Sequence, residues 1–164
     1  MASTPLRTHH DLPAKTRGQV VAILNQHVAD TTDLFTQVKT AHWNVKGSSF
    51  IALHELFDKL AEELEGHADT LAERATALGG YVPGSLRQAA TSTRLPDWPS
   101  DVTDGTAVIH ALVERYAQLA KATRAAIETA TKHDDAGTAD LFTGLSRDLD
   151  KSMWFLEAHE QAGR

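Results

Sequence analysis

The chain has no cysteine among its 164 residues, which excludes both a disulfide framework and a thiolate metal site. Aromatic residues are scarce at 6%, and only scattered short stretches have the composition of a strand. No apolar run approaches the roughly 20 residues that a membrane span requires. The opening residues, Met1-Ala-Ser-Thr-Pro-Leu-Arg-Thr-His-His10, lack the apolar segment of a secretory signal. These absences fit a reducing cytoplasm, and a cytoplasmic location is expected. Positive charge is also in deficit. A net charge of -6 argues against a body that is itself a nucleic-acid-binding surface, and it suits a protein that collects cations.

What remains is rich in alanine, leucine and charged residues, the profile of an all-helical protein, and the length suits one domain with its own core. Residues 1–15, which include Pro5 and Pro13, read as a flexible N-terminal tail, and 16–164 as the single domain. From about Thr16 to Val45, Val20, Val21, Ile23, Leu24, His27, Val28, Leu34, Phe35, Val38 and Ala41 recur at helical spacing. Lys46-Gly47-Ser48-Ser49 breaks the pattern, with a serine placed to cap the next helix. That second helix runs from about Phe50 to Leu78 and stops at Gly79-Gly80. A polar connection follows, carrying Pro83-Gly84 and Leu95-Pro-Asp-Trp-Pro99, with a short helix possible near Leu86–Thr91. A third helix spans roughly Thr103–Thr131, His133–Gly137 forms a tight turn, and a fourth covers about Thr138–Gln161. Two short turns around one long middle connection predict an all-α four-helix bundle of ferritin-like connectivity.

The second helix sorts its own faces. At about 100° per residue, Leu53, Leu56, Phe57, Leu60, Leu64, Ala68, Leu71, Ala75 and Leu78 share the core side. His54, Asp58, Asp69 and Glu73 fall in a neighbouring arc, together with Glu62 and Glu65. His54 with Asp58 and Asp69 with Glu73 are each an i, i+4 pair of metal-competent side chains. Eleven residues separate Asp58 from Asp69, or about 16 Å along the axis. Ligands must approach a metal to roughly 2 Å, so one copy of the helix cannot close all four around one ion. A second, antiparallel copy can. If two copies cross near residues 63–64, His54 and Asp58 of one face Asp69 and Glu73 of the partner subunit. A two-fold interface would create that site twice. His42 lies as far before the first turn as His54 lies after it, so the two imidazoles reach the same level of the hairpin. Taken singly, such pairs also occur as solvated surface decoration, and His42 with Trp43 could simply close the end of the bundle.

Three segments carry a resemblance: His42-Trp43-Asn44-Val-Lys-Gly47, Phe50-Ile-Ala-Leu-His54-Glu-Leu-Phe-Asp58 and His67-Ala-Asp69-Thr-Leu-Ala-Glu73-Arg-Ala-Thr-Ala-Leu-Gly-Gly80. They resemble the Dps family, the DNA-binding proteins of starved cells or mini-ferritins. Ser146-Arg-Asp-Leu-Asp-Lys-Ser-Met-Trp-Phe155 is similar to that family's last helix. The resemblance implies a hollow homododecamer that oxidises ferrous iron and stores it as a ferric mineral. It implies a ferroxidase site of His42, His54 and Asp58 from one chain with Asp69 and Glu73 from the other, and an aromatic, Trp43, beside it to intercept oxidising equivalents. Hydrogen peroxide is the oxidant so implied, with Zn2+ and Mn2+ as competitors for the same ligands. The intra-bundle Glu-x-x-His motif of ordinary ferritins occurs nowhere in the chain.

Asp134, Asp135 and Asp140 flank the last turn, where the family places a negatively charged three-fold pore; Asp140 matches best. Aspartates there also fit ordinary helix capping. DNA contact would fall to the tail, through Arg7, Lys15 and Arg17, with His9 and His10 adding charge at low pH. Twelve such tails on one particle would act by avidity and depend steeply on salt. The leading expectation is a ferroxidase and iron store that protects the cell from iron and peroxide. One rival is a nucleoid-condensing DNA binder with subordinate iron chemistry. Another is a metal-free bundle whose polar stripe forms dimer salt bridges.

Overall fold

The computed structural model describes residues 6–161. Five helices make up the body: α1 (Ala14–Asn44), α2 (Phe50–Ala77), α3 (Leu86–Ser92), α4 (Gly105–Lys132) and α5 (Ala136–Glu157). The short helix expected in the long connection is α3, and the four long helices form the predicted bundle. α1 packs mainly on α2 and α4 mainly on α5, while contacts of α1 with α4 and of α2 with α5 join the two hairpins. One apolar core runs through all four, with Leu24, Leu34, Phe57, Leu64, Leu71, Leu112, Tyr116, Leu119, Phe142 and Leu149 fully buried. Among the described residues, no helix is long and apolar enough to cross a membrane.

The helix ends show which local signals act. Ser85 and Gln88 form a reciprocal capping box on α3. Asp104 caps α4 by accepting from the Ala107 N–H at 3.1 Å. Ser49 occupies the N-cap position of α2, but its side chain makes no capping bond. Its φ of -95° and ψ of 15° depart from the extended conformation that aims a cap hydroxyl back at the first turn. The α4–α5 turn is shorter than expected, because α5 begins at Ala136 and Asp134 takes the turn at φ 56°. At the end of α2, Gly79 adopts φ 83°, and a Cβ there would meet the Leu6 carbonyl oxygen at 2.7 Å. The Leu6 N–H in turn donates to the Gly79 carbonyl at 2.9 Å. Arg17 donates to the Leu12 carbonyl at 2.6 Å. Residues 1–5 of the expected tail lie outside the described residues.

Two buried charges anchor the long connection to the bundle. Asp30, 1% exposed, accepts from Arg94 through Nε at 2.9 Å and Nη2 at 2.5 Å, and from its backbone N–H at 2.8 Å. Arg115 donates to Gln37 Oε1 at 2.5 Å, to the Ala111 carbonyl at 2.8 Å and to the Asp97 carbonyl, with Trp98 stacked 5.5 Å away. Removing Arg94, itself 45% exposed, would strand the buried Asp30 charge.

Candidate metal centre

His42 lies in the last turn of α1 and His54 in the second turn of α2, facing each other across the hairpin. His42 Nδ1 donates to the His54 carbonyl at 2.8 Å, and His54 Nδ1 donates to the His42 carbonyl at 2.9 Å. The second of these uses a carbonyl that the helix itself leaves over, because the Lys46 N–H four residues on bonds to the Thr103 carbonyl instead. A carbonyl can only accept, so both Nδ1 atoms carry hydrogen. In the neutral rings that leaves both Nε2 lone pairs for a metal. The rings stack with centroids 3.7 Å apart at 19°.

Asp58 follows one turn after His54, with Oδ1 4.0 Å from His42 Nδ1. That oxygen accepts from Lys39 Nζ at 2.6 Å. The hydrogen bond and charge of Lys39 hold the Asp58 carboxyl below the usual carboxylate range. The Phe50 ring sits 5.1 Å from that of His54, and Trp43 and Ile51, close by in sequence, are 68% and 60% exposed.

Asp69 and Glu73 are exposed on the same unbroken α2, about 16 Å further along its axis. Among the described residues, no three His, Asp or Glu side chains of one subunit gather closely enough to hold an ion. His42, His54 and Asp58 are neighbours that do not by themselves make an ion site, and Asp69 and Glu73 lie apart from them. Glu62 and Glu65 are also exposed.

The three aspartates at the last turn separate. Asp134 and Asp140 are exposed, whereas Asp135 is 3% exposed and fully engaged. Asp135 accepts from the Thr138 N–H at 2.9 Å, the Thr138 hydroxyl at 2.6 Å and Arg74 Nη2 at 2.7 Å. Burial alone would raise its pKa, but these bonds and the Arg74 charge hold it below the usual range. Asp135 is a cap that ties α5 to the end of α2, and its carboxylate is not presented to solvent.

Sequence reasoning missed Lys39. Its signal was present, because a lysine three residues before His42 shares that side of α1. Only the rotation of α1 against α2 reveals that it reaches Asp58.

A ferritin-like domain model matches residues 21–163. The DNA protection during starvation protein of Agrobacterium fabrum is 46% identical over 155 residues, covering 94% of this chain and 96% of that relative. The chain belongs to the Dps family. DpsC from Streptomyces coelicolor superposes with a TM-score of 0.93 at 30% identity, covering 98% of this chain and 94% of its own. The Dps protein of Vibrio cholerae, described as a member of a broad superfamily of ferritin-like diiron-carboxylate proteins, shares the fold. Its TM-score is 0.88 at 24% identity, covering 98% of this chain and all of its own. The Dps fold is therefore present over nearly the whole chain, with a ferritin-like bundle as its body.

Proposed function

We propose that this Dps-family chain is a ferroxidase that oxidises ferrous iron with hydrogen peroxide at sites shared between subunits and stores the ferric product inside a homododecamer. The observation that carries the reading is the reciprocal clasp of His42 and His54, which commits both Nδ1 atoms and leaves both Nε2 atoms free, with the Asp58 carboxylate 4.0 Å from the His42 ring. In an antiparallel pair of α2 helices, the partner subunit's Asp69 and Glu73 complete the donor set. Mixed imidazole and carboxylate donors suit ferrous iron, and manganese and zinc as competitors. The carboxylates offset the extra charge of the ferric product. Two ferrous ions give one electron each to one peroxide. With two protons, the O–O bond breaks to give two waters and no hydroxyl radical is released. Trp43, exposed and next in sequence to His42, is suited to intercept stray oxidising equivalents.

Asp134 and Asp140 are the carboxylates available for a cation-admitting pore; Asp135 is left out of that role. DNA contact is the secondary reading, supported by the name of the Agrobacterium relative. Arg7 and Lys15 are exposed, while Arg17 is turned onto the Leu12 and His10 carbonyls at 2.6 and 3.4 Å. A particle acting through them would sit in the cytoplasm, on the nucleoid.

The test is to mix the protein with ferrous iron and peroxide without oxygen and follow ferric absorbance. His54→Ala and Asp58→Ala should each slow the reaction about 10- to 100-fold, and zinc added first should inhibit, since it binds such ligands without redox chemistry. Unchanged rates in both variants would refute the ligand assignment. Gel retardation across a salt series, with and without residues 1–15, tests the DNA reading.

A further inference from the structure

A positive charge already sits on the proposed metal site. Lys39 Nζ donates to Asp58 Oδ1 at 2.6 Å, and its side chain is 24% exposed against 60% for Asp58. The lysine is thus held against the hairpin with its ammonium directed at a carboxylate that the ferroxidase reading gives to iron. We infer that Lys39 is a built-in counter-cation of that site, a positioning residue that keeps Asp58 in place when no metal is bound and must swing aside for a divalent ion to bind. The inference rests on the ferroxidase reading.

The physical argument has two sides. Without metal, an antiparallel pair of α2 helices brings Asp58 towards the partner subunit's Asp69 and Glu73, so three carboxylates repel one another. Lys39 offsets one of them and lets the copies associate before iron arrives. With metal, an ion must come within roughly 2 Å of Asp58, and an ammonium already at hydrogen-bond distance from the same oxygen opposes it. A compact ammonium on a flexible four-carbon stem suits this role, since it can move away without disturbing α1; a forked guanidinium would bind the carboxylate twice and release it less readily. Lys39 therefore weakens metal binding while strengthening metal-free association. A purely structural salt bridge would not carry these opposite signs.

The experiment uses the full chain and zinc, which reports binding without redox chemistry. Zinc titration calorimetry would compare wild type, Lys39→Met, Asp58→Ala and Lys59→Met, the last removing an exposed lysine next in sequence to Asp58. Lys39→Met should bind zinc up to about fivefold more tightly, the worth of an exposed ion pair at its upper end. Its metal-free assembly should dissociate at lower denaturant and be restored by zinc. With ferrous iron the change should fall in KM rather than kcat. Lys59→Met should match wild type. Wild-type or weaker zinc affinity in Lys39→Met would overturn the inference, as would an equal gain in Lys59→Met, which would point to overall charge. Undiminished zinc binding in Asp58→Ala would sink the shared-site reading, and this inference with it. The two failures are thereby distinguished.

Discussion

An imidazole serves as a metal ligand only when the right nitrogen is free and the ring is held still, and here each histidine settles the other. The bonds run from ring to backbone, so they survive unequally when a side chain is removed. His42→Ala keeps the carbonyl that orients His54 and loses one donor only. We expect ferrous oxidation to fall about 10- to 100-fold with an unchanged circular dichroism spectrum and melting temperature. His27, away from that pair, makes stability depend on pH. His27 is 2% exposed, and its Nδ1 donates to the Ile23 carbonyl at 2.9 Å. Burial lowers its pKa, assisted by the Arg94 charge and opposed by the Ile23 and Ala122 carbonyls and by Asp30. The unfolded chain therefore takes up this proton before the folded one does. Stability from His27 is complete above the unfolded value of about 6.5 and is lost as the pH falls from there through the folded value. His27→Leu should accordingly show less loss of urea midpoint than wild type between pH 7 and pH 5.

At the scale of the element, α2 is a rod that carries the proposed donors at two stations, and its one glycine lies between them. Gly66 precedes Glu73 by seven residues and shares its side of the helix within about 20°. Within the subunit, nothing approaches a Cβ built there to within 4 Å. If two α2 helices cross on this side, Gly66→Leu should push them apart and yield monomer in analytical ultracentrifugation, while circular dichroism stays helical. A retained assembly would move the crossing elsewhere. The link from α2 to α5 gives a different prediction. Asp135→Ala removes a cap and leaves Arg74 with only the Thr138 hydroxyl as a partner, so it should cost about 1–2 kcal/mol in urea unfolding near neutral pH. Because the folded pKa of Asp135 lies below its unfolded value, the gap should close as the pH drops below about 4 and wild type loses the same bonds. The helices themselves were legible in the chain. Most ends fall within two residues of the periodic pattern, since Leu53, Phe57, Leu60, Leu64 and Leu71 can be buried together only in that register. The end of α5 was placed four residues too far, because no glycine or proline stands between Glu157 and Gln161 to mark it. The polar links joining distant elements, Asp30 to Arg94, Gln37 to Arg115 and Lys39 to Asp58, were not legible. Their sequence separations are large or their registers depend on how one helix is rotated against another. Ser49 failed as a cap because its backbone, which the residue type does not dictate, is turned the wrong way.

For the whole molecule, the division of donors along α2 permits a test that no single variant offers. A His54→Ala chain and a Glu73→Ala chain should each be nearly inactive alone. Unfolded together and reassembled, they should form mixed pairs in which one site carries both changes and the other carries none. Ferric absorbance should then return to about one quarter of the wild-type rate, since half the pairs are mixed and each has one intact site of two. No recovery would mean that each chain supplies its own complete site. On the proposed reading, a chain holding only half of each donor set would do nothing with iron by itself. Freshly made, solitary subunits would be silent, and the mineral would start to form only where walls already stand to contain it.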